Sequence, residues 1–354
     1  MPRYRERDTI HGRGASWDPE NRFTGMRYEA DPDAEPGDEE GPRPGTEYFE
    51  EDAAGILSRN DSPDVPYTYS LNPYRGCEHG CIYCYARPIH EYAGYSAGLD
   101  FETKIFVKRN APALLRVALS SRKWTPQVVS MCGSTDAYQP VERALGITRG
   151  CLEVFAEFLN PVAVVTKNRL VLRDLDILAA LAAHEAASVC ISVTTLDLGL
   201  NRVLEPRTSS PKQRLDTIRA LAEAGVPVGV LVAPVIPALT DHELPAILRA
   251  AADAGARSAG YSLLRLPHAV APLFERWLEQ HCPDRKEKVL NRLRAARDGK
   301  LCDSSFETRM FGSGLFAEHL ARLFEVAARG VGLDGDSPPL STTHFRRPGQ
   351  MDLF

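Results

Sequence analysis

The sequence predicts an α/β fold, a partial (β/α)6 TIM-like barrel with a C-terminal helical extension and disordered termini. Three observations lead there. Between residues 66 and 275, six short apolar runs alternate with amphipathic segments of helical period. The apolar runs are continuous, as expected for strands covered by helices on a parallel sheet. No Gly-rich dinucleotide fingerprint follows the first run, which disfavours an open Rossmann sheet and leaves right-handed crossovers closing toward a barrel.

The elements follow in order. "TYSLNPYRG" reads as the first strand, ending at a cysteine-rich loop. "APALLRVALSSRKW" reads as a helix and "QVVSMCG" as a buried strand; "ERALGITRGCLEVFAEFL" and "PVAVVTK" repeat the pair. "LRDLDILAALAAHEA" precedes "SVCISVTT", and "SPKQRLDTIRALAEAG" precedes "VPVGVLVAPVI". "DHELPAILRAAADAG" precedes the last strand, "SAGYSLLRL". Gly225 and Gly255 stop their helices where a left-handed residue is needed. "VAPLFERWLEQH", "DRKEKVLNRLRAARDG" and "GLFAEHLARLFEVAARGVGL" read as three further amphipathic helices. The expected organisation is a disordered acidic, Pro-rich arm over 1–62, a barrel over 63–275, a helical extension over 276–335 and a flexible tail over 336–354.

The 354 residues are 44% hydrophobic and 25% charged, enough for one large domain or two ordinary ones. Net charge is −5, but residues 28–52 carry eleven acids against one arginine, so the remainder is mildly basic at +5. That asymmetry suits an anionic partner, or a solvated acidic arm. Basic pairs are scattered: Lys108–Arg109, Arg122–Lys123 and Arg346–Arg347. The first residues hold no apolar signal core, and no run is long enough to span a bilayer. A cytoplasmic protein without membrane contact is expected. Eight cysteines are too few for a disulfide scaffold in a chain of this size.

Three of those cysteines, Cys77, Cys81 and Cys84, fall within "GCEHGCIYC". Clustered thiols of this kind bind metal. A structural zinc needs four closed ligands, and the nearest fourth candidates, His79, His90 and Cys132, are not at zinc-finger spacing. A 4Fe-4S cluster also has four corners, so three cysteines leave one iron open.

Cys77-x3-Cys81-x2-Cys84, with Tyr83 before the last cysteine, resembles the signature of radical S-adenosylmethionine (SAM) enzymes. "GCEHGCIYCYARP", "TKNRLVLRDLDIL", "SVTTLD" and "LEPRTSSPKQRL" resemble the branch grouped with spore photoproduct lyase and its bacterial relatives. The resemblance implies a 4Fe-4S cluster on the three cysteines with SAM as the fourth ligand. It implies reductive cleavage to a 5′-deoxyadenosyl radical, fed by an electron donor such as flavodoxin or ferredoxin. It also implies a lyase or repair enzyme acting on DNA lesions. A peptide or small metabolite is an alternative substrate, and a non-catalytic Fe-S or zinc-binding module an alternative function.

Barrel chemistry gathers at the C-terminal ends of strands. The resemblance implies that Ser134, Thr135 and Asp136, then Lys167, then Ser192 hold the methionyl and ribose groups. Asp136 would suit an ammonium or hydroxyls, and Lys167 a carboxylate. Tyr83 and Tyr85 are expected to pack on the cofactor, with Arg202, Glu205 or Arg207 contacting SAM or substrate, or else ordering their own loop. Cys132 is a candidate hydrogen-atom donor, one residue off the lyase spacing, or a small buried hydrophobe. The tip "GQMDLF" resembles a sliding-clamp docking peptide through Gln350, Leu353 and Phe354.

Overall fold

Six parallel strands make the central wall. The structure, a computed structural model, describes residues 9–24, 45–335 and 337–348. Its strands are β1 (Glu47–Glu50), β2 (Leu57–Arg59), β3 (Tyr69–Leu71), β4 (Tyr74–Arg75), β5 (Lys104–Val107), β6 (Val129–Met131), β7 (Val162–Thr166), β8 (Ala187–Ser192), β9 (Val228–Val235) and β10 (Ser258–Leu263). The main sheet runs β2-β3-β6-β7-β8-β9-β10. All pairs from β3 to β10 are parallel, and β2 lies antiparallel on the β3 edge. Each crossover therefore steps to the next neighbour in one direction, as in a barrel wall, and never reverses as in a doubly wound sheet. The order is linear, so the barrel is open between β10 and the β2 edge.

The predicted helices are present, with two local departures. "ERALGITRGCLEVFAEF" breaks at Gly146, φ +64°, into helices Glu142–Leu145 and Ile147–Phe158. The first strand is cut at Pro73, which has no N–H for a ladder. Its continuation, β4, instead joins β5 and β1 in a three-stranded side sheet. Gly225 (φ +77°) and Gly255 (φ +98°) end their helices as expected. Among the described residues no helix is long and apolar enough to cross a membrane.

Two expectations about the termini need correction. The arm over 1–62 is not wholly disordered. Residues 47–50 are strand β1 and 57–59 are β2, and Glu50, Glu51 and Asp52 bond Arg109, Arg75 and Asn110 at 2.7–2.8 Å. These acids are matched by two cations and an amide on or just after strands of the side sheet, partners that sequence distance conceals. Residues 13–16 lie against the cysteine loop. The Gly14 and Ala15 amides donate to Glu102 at 3.0 and 2.8 Å, and Arg13 Nη1 donates to the Glu102 carbonyl at 2.8 Å. Residues 28–44 of the acidic stretch lie outside the described residues.

The tail over 336–354 is likewise not loose where described. Ser337 Oγ bonds Ser258 Oγ (2.8 Å), the Ser341 amide the Glu185 carbonyl (2.8 Å), and the Arg346 amide the Phe158 carbonyl (2.8 Å). Arg347 Nη2 reaches the Ser121 and Trp124 carbonyls. Ser258 opens β10 and the other partners precede β8, β7 and β6, so the tail straps the N-terminal end of the wall. Gln350, Leu353 and Phe354 lie outside the described residues. The helical extension shares the barrel's core: Phe274 and Trp277 pack with Leu204 and Ile236, and Trp277 Nε1 donates to the Val203 carbonyl at 3.0 Å.

The residue 13–16 segment yields a test. A Cβ on Gly14 would sit 1.8 Å from the Gly80 carbonyl oxygen, backbone that cannot swing aside. Gly14→Ala should lift the segment and cost about 1–3 kcal/mol, as for other overpacked sites. Hydrogen exchange at residues 14 and 15 should become fast; unchanged protection there would refute the tight contact.

Candidate functional site

The cysteine loop is shaped by two glycines and clamped from four sides. Gly76 and Gly80 take φ of +80° and +67°, which only glycine adopts at no cost. At Gly80 a Cβ would also meet Glu102 Oε2 at 2.7 Å. The Cys77 amide donates to the Phe101 carbonyl (2.9 Å), and Ile82 to that of Leu204 (3.2 Å). Arg87 lies wholly buried beneath, donating Nε to the Cys81 carbonyl (3.0 Å) and Nη2 to Glu102 (2.5 Å). From the loop after β6, Thr135 Oγ1 donates to the Gly76 carbonyl (2.7 Å), and Gln139 Oε1 accepts from the Glu78 amide (2.9 Å).

Cys77 and Cys81 are buried and Cys84 half-buried. Burial pushes all three thiols up; for Cys77 the neighbouring Asp136, Cys81 and Cys84 push the same way. Against this, the nearby backbone amides of His79 for Cys77, and of Ala86 and Arg87 for Cys84, act to lower the thiol pKa. Three sulfurs on one loop, withdrawn from water, are the residues here that could hold a metal as thiolates.

Among the described residues no fourth protein ligand joins them. His79 is taken at both nitrogens, by Asp136 (3.4 Å) and Asn168 (3.1 Å). His90 is buried among Tyr95, Phe101 and Phe106. Cys132 accepts from the Ala137 amide at 2.8 Å and lies in the hydrophobic core of the barrel wall, at φ +85°. Among the described residues no three His, Cys, Asp or Glu side chains converge as a single-ion site.

Two buried carboxylates organise the mouth. Asp136 ends the β6 loop and accepts from Thr166 Oγ1 (2.8 Å) and the Tyr138 and Lys167 amides (2.9 Å each). Burial alone would raise its pKa; His79 and these amides outweigh burial and lower it. Glu205, 1% exposed, sits deeper. It accepts from Arg214 Nη2 (2.5 Å), Thr194 Oγ1 (2.9 Å), Asn201 Nδ2 (3.0 Å) and the Tyr83 hydroxyl. Lys167 Nζ lies 3.3 Å away. Burial opposes the Glu205 charge too, but Arg214, then Lys167, hold its pKa well below the ordinary carboxylate range.

The expected cofactor residues thus fall into three groups. Tyr83, Thr135, Asp136 and Lys167 come together beside the cysteines, largely engaged with one another. Lys167 also donates to Thr194 Oγ1 and the Ala233 carbonyl, with Tyr83's ring 5.8 Å from its nitrogen. Ser134, Tyr85 and Ser192 stand at the same strand ends with less internal demand. The Ser134 amide donates to Asn72; Tyr85 is half-exposed, donating to the Gly133 carbonyl (2.6 Å) with Arg265 over its ring; Ser192 lends its carbonyl to Arg214. Arg202 does not join: it is exposed on helix Leu198–Leu204, and among the described residues no ion pair ties it to the mouth. Glu205 is the residue of "NRVLEPR" that orders the site, and Arg207 supports it by pairing Glu78 at 3.2 Å. Arg214, Arg87 and Glu102 escaped sequence reading because a charged residue in an amphipathic helix ordinarily faces water. "SPKQR" could have flagged Arg214, since it lies one turn into a helix beginning at the reactive face.

The fold and site together are those of an open parallel barrel that carries a three-thiol loop after its first strand. Comparison with known proteins carries this further. The family model of the radical SAM superfamily matches residues 71–251, about half the chain, and the protein belongs to that superfamily. An uncharacterised protein of Mycobacterium tuberculosis is 37% identical over 222 residues, 62% of this chain and 65% of that one. Another, from Methanocaldococcus jannaschii, is 30% identical over 175 residues, 49% and 63% of the two chains. The chain thus spans slightly less than two thirds of these relatives. Spore photoproduct lyase complexed with dinucleoside spore photoproduct superposes with TM-score 0.54 at 15% identity, over 81% of this chain and 80% of that one. A variant of that lyase with bound AdoMet and dinucleoside spore photoproduct gives 0.52 at 17%, over 77% of each. The likeness is one of fold.

Glu205→Ala would strand the Arg214 guanidinium in the interior and should cost about 3–5 kcal/mol in urea unfolding. The depressed carboxylates also set a pH dependence. Their stabilisation is complete above the unfolded values, near 4.5 for Glu205 and 3.8 for Asp136, and is lost as pH falls, because the unfolded chain takes up protons first. The wild-type urea midpoint should therefore fall more steeply than that of Glu205→Gln between pH 5 and about 3. Parallel curves would contradict the assignment.

Proposed function

We propose that this protein holds a 4Fe-4S cluster on Cys77, Cys81 and Cys84, binds SAM at the iron left without a cysteine, and acts as a lyase-type enzyme on a DNA lesion. One observation supports the reading: three thiols share one tightly held loop, and among the described residues no fourth side chain joins them, His79 and Cys132 being bonded elsewhere and His90 enclosed by aromatic rings. A closed zinc site needs that fourth ligand; a cluster with an exchangeable corner needs its absence. Cluster and SAM together supply one-electron cleavage of a sulfonium and hydrogen-atom abstraction.

The chain's own residues supply position and dryness. Tyr83, fixed by Glu205, walls the loop side, and Asp136 with Thr166 sets the strand ends around it. Lys167 balances the Glu205 charge and offers its remaining field to the SAM carboxylate. Ser134, Ser192 and Tyr85 are the groups best able to contact the amino acid and ribose. The DNA substrate draws support from the fold shared with a lyase solved with a dinucleoside lesion. The electron would come from a flavodoxin- or ferredoxin-type donor.

Anaerobic reconstitution of the full chain with iron and sulfide, then dithionite and SAM, tests this. We expect a cubane spectrum perturbed by SAM and release of 5′-deoxyadenosine, with release falling at least about 100-fold in Cys81→Ala, since each thiolate is a cluster ligand. A zinc-only protein, or a cluster inert to SAM, would overturn it.

A further inference from the structure

Beside the cysteine loop, on the outer side of the mouth, lies a groove of about 890 Å³ whose charge is of one sign. It is built by the loops after β6, β7 and β8, and Arg143, Arg169, Arg173 and Arg207 line it with no carboxylate among the lining residues. Two of these charges are spent. Arg173 pairs Glu142 (2.6 Å) and Asp174 (2.7 Å) behind the wall, and Arg207 pairs the buried Glu78. Arg143 and Arg169 are exposed and, among the described residues, have no carboxylate partner. Of the basic pairs prominent in the sequence, Arg109 is engaged with Glu50, Lys108 with the Asn72 carbonyl and Arg347 with the Ser121 and Trp124 carbonyls, while the exposed Arg122 and Lys123 lie before β6, at the end of the wall away from the mouth.

The groove's floor is rigid. Ser209 Oγ accepts from the Arg169 amide at 2.8 Å, Thr208 Oγ1 bonds the Glu205 carbonyl at 2.8 Å, and the Arg207 amide bonds the His79 carbonyl at 3.2 Å. The last contact joins groove and cysteine loop into one surface. The volume is that of a whole ligand pocket, far more than one phosphate needs. The lining contains no aromatic ring on which a free nucleotide's base could stack.

We infer that this groove seats the phosphodiester backbone of a nucleic-acid strand, with Arg143 and Arg169 as its phosphate contacts and its bases turned out of the groove. Guanidinium forks match phosphate oxygens in pairs, and contacts of this kind position a strand without reading its sequence. The inference deepens the proposed reading by giving the substrate a backbone track beside the radical site.

The test is fluorescence anisotropy of reconstituted full chain with labelled single-stranded and duplex 20-mers across a salt series. Arg143→Glu/Arg169→Glu should bind at least tenfold more weakly, and its log Kd against log salt slope should shrink by roughly 1.4–1.8, two phosphates' worth. Arg143→Lys/Arg169→Lys should keep most of the slope. Unchanged affinity and slope in the charge-reversed variant would overturn the groove. So would tripolyphosphate binding it more tightly than the oligonucleotide, which would mark a site for a free phosphate compound. Release of 5′-deoxyadenosine from SAM, measured in the same preparations, should match wild type in both variants. Its absence in wild type would sink the parent reading, while the binding data alone decide the groove.

Discussion

A single buried carboxylate holds the reactive face together. Glu205 gathers a guanidinium, an ammonium, a phenol, a hydroxyl and an amide from five separate places in the chain. An isolated charge so deep would be expelled or protonated. Here Arg214 and Lys167 make the ionised form the stable one, and each added donor fixes another segment. Tyr83 belongs to the cysteine loop, Lys167 follows β7, Thr194 follows β8, and Arg214 sits in the first turns of helix Pro211–Glu223. The position of the thiols relative to the barrel is therefore an electrostatic result as much as a packing one. Such a network also transmits disturbance: removing one member leaves the others desolvated and unmatched.

The second pair, Arg87 and Glu102, does the same work on the other side of the loop. Arg87 spans the carbonyls of Cys81, Ala97 and Gly98 before meeting Glu102, and Glu102 in turn collects the amides of Gly14 and Ala15. The loop is thus held between two buried ion pairs of opposite orientation. Gly76 and Gly80 permit its curvature, but they do not dictate it; the hydrogen bonds donated by Thr135 and accepted by Gln139 and the Phe101 carbonyl do. A loop so constrained presents its thiols in one geometry, which a multi-ligand inorganic cluster requires.

Much of this was legible in the sequence. The six strands and their helices declared themselves because each is a continuous apolar run next to a 3.6-period one, and because Gly225 and Gly255 mark helix ends that need a positive φ. The three cysteines stand out in the sequence by their spacing, and the polar residues beside them by their place at the ends of the predicted strands. The order within residues 9–24 and 47–62 was not, since those segments are stabilised by partners far along the chain, and local composition reports only on local stability. Trp17, for instance, lies with Ile10 against the core holding Cys81 and Leu204, a contact with no periodic signature. The roles of Glu205 and Arg214 were half-visible. "LEPRTSSPKQR" reads as an ordinary charged loop and helix start, and only burial separates an organising carboxylate from a solvated one.

The division of labour at the mouth follows from which polar groups are already spent. Asp136 has both oxygens occupied, and Lys167 has three partners, so neither can give its full strength to a bound molecule without weakening the fold. Their contribution to a ligand is mainly through field: one fixed negative centre near Cys77 and one fixed positive centre near Cys81. Direct contact falls instead to groups with capacity left, among them Tyr85, whose half-exposed ring stands between Cys84 and Arg265. Rigid charges inside and adaptable groups at the rim allow the inner centre to stay constant while the rim determines what enters. On the proposed reading, substrate selection falls to the loops after β6, β7 and β8 and to the extension that carries Arg265's neighbours, and the cysteine loop is left to chemistry alone.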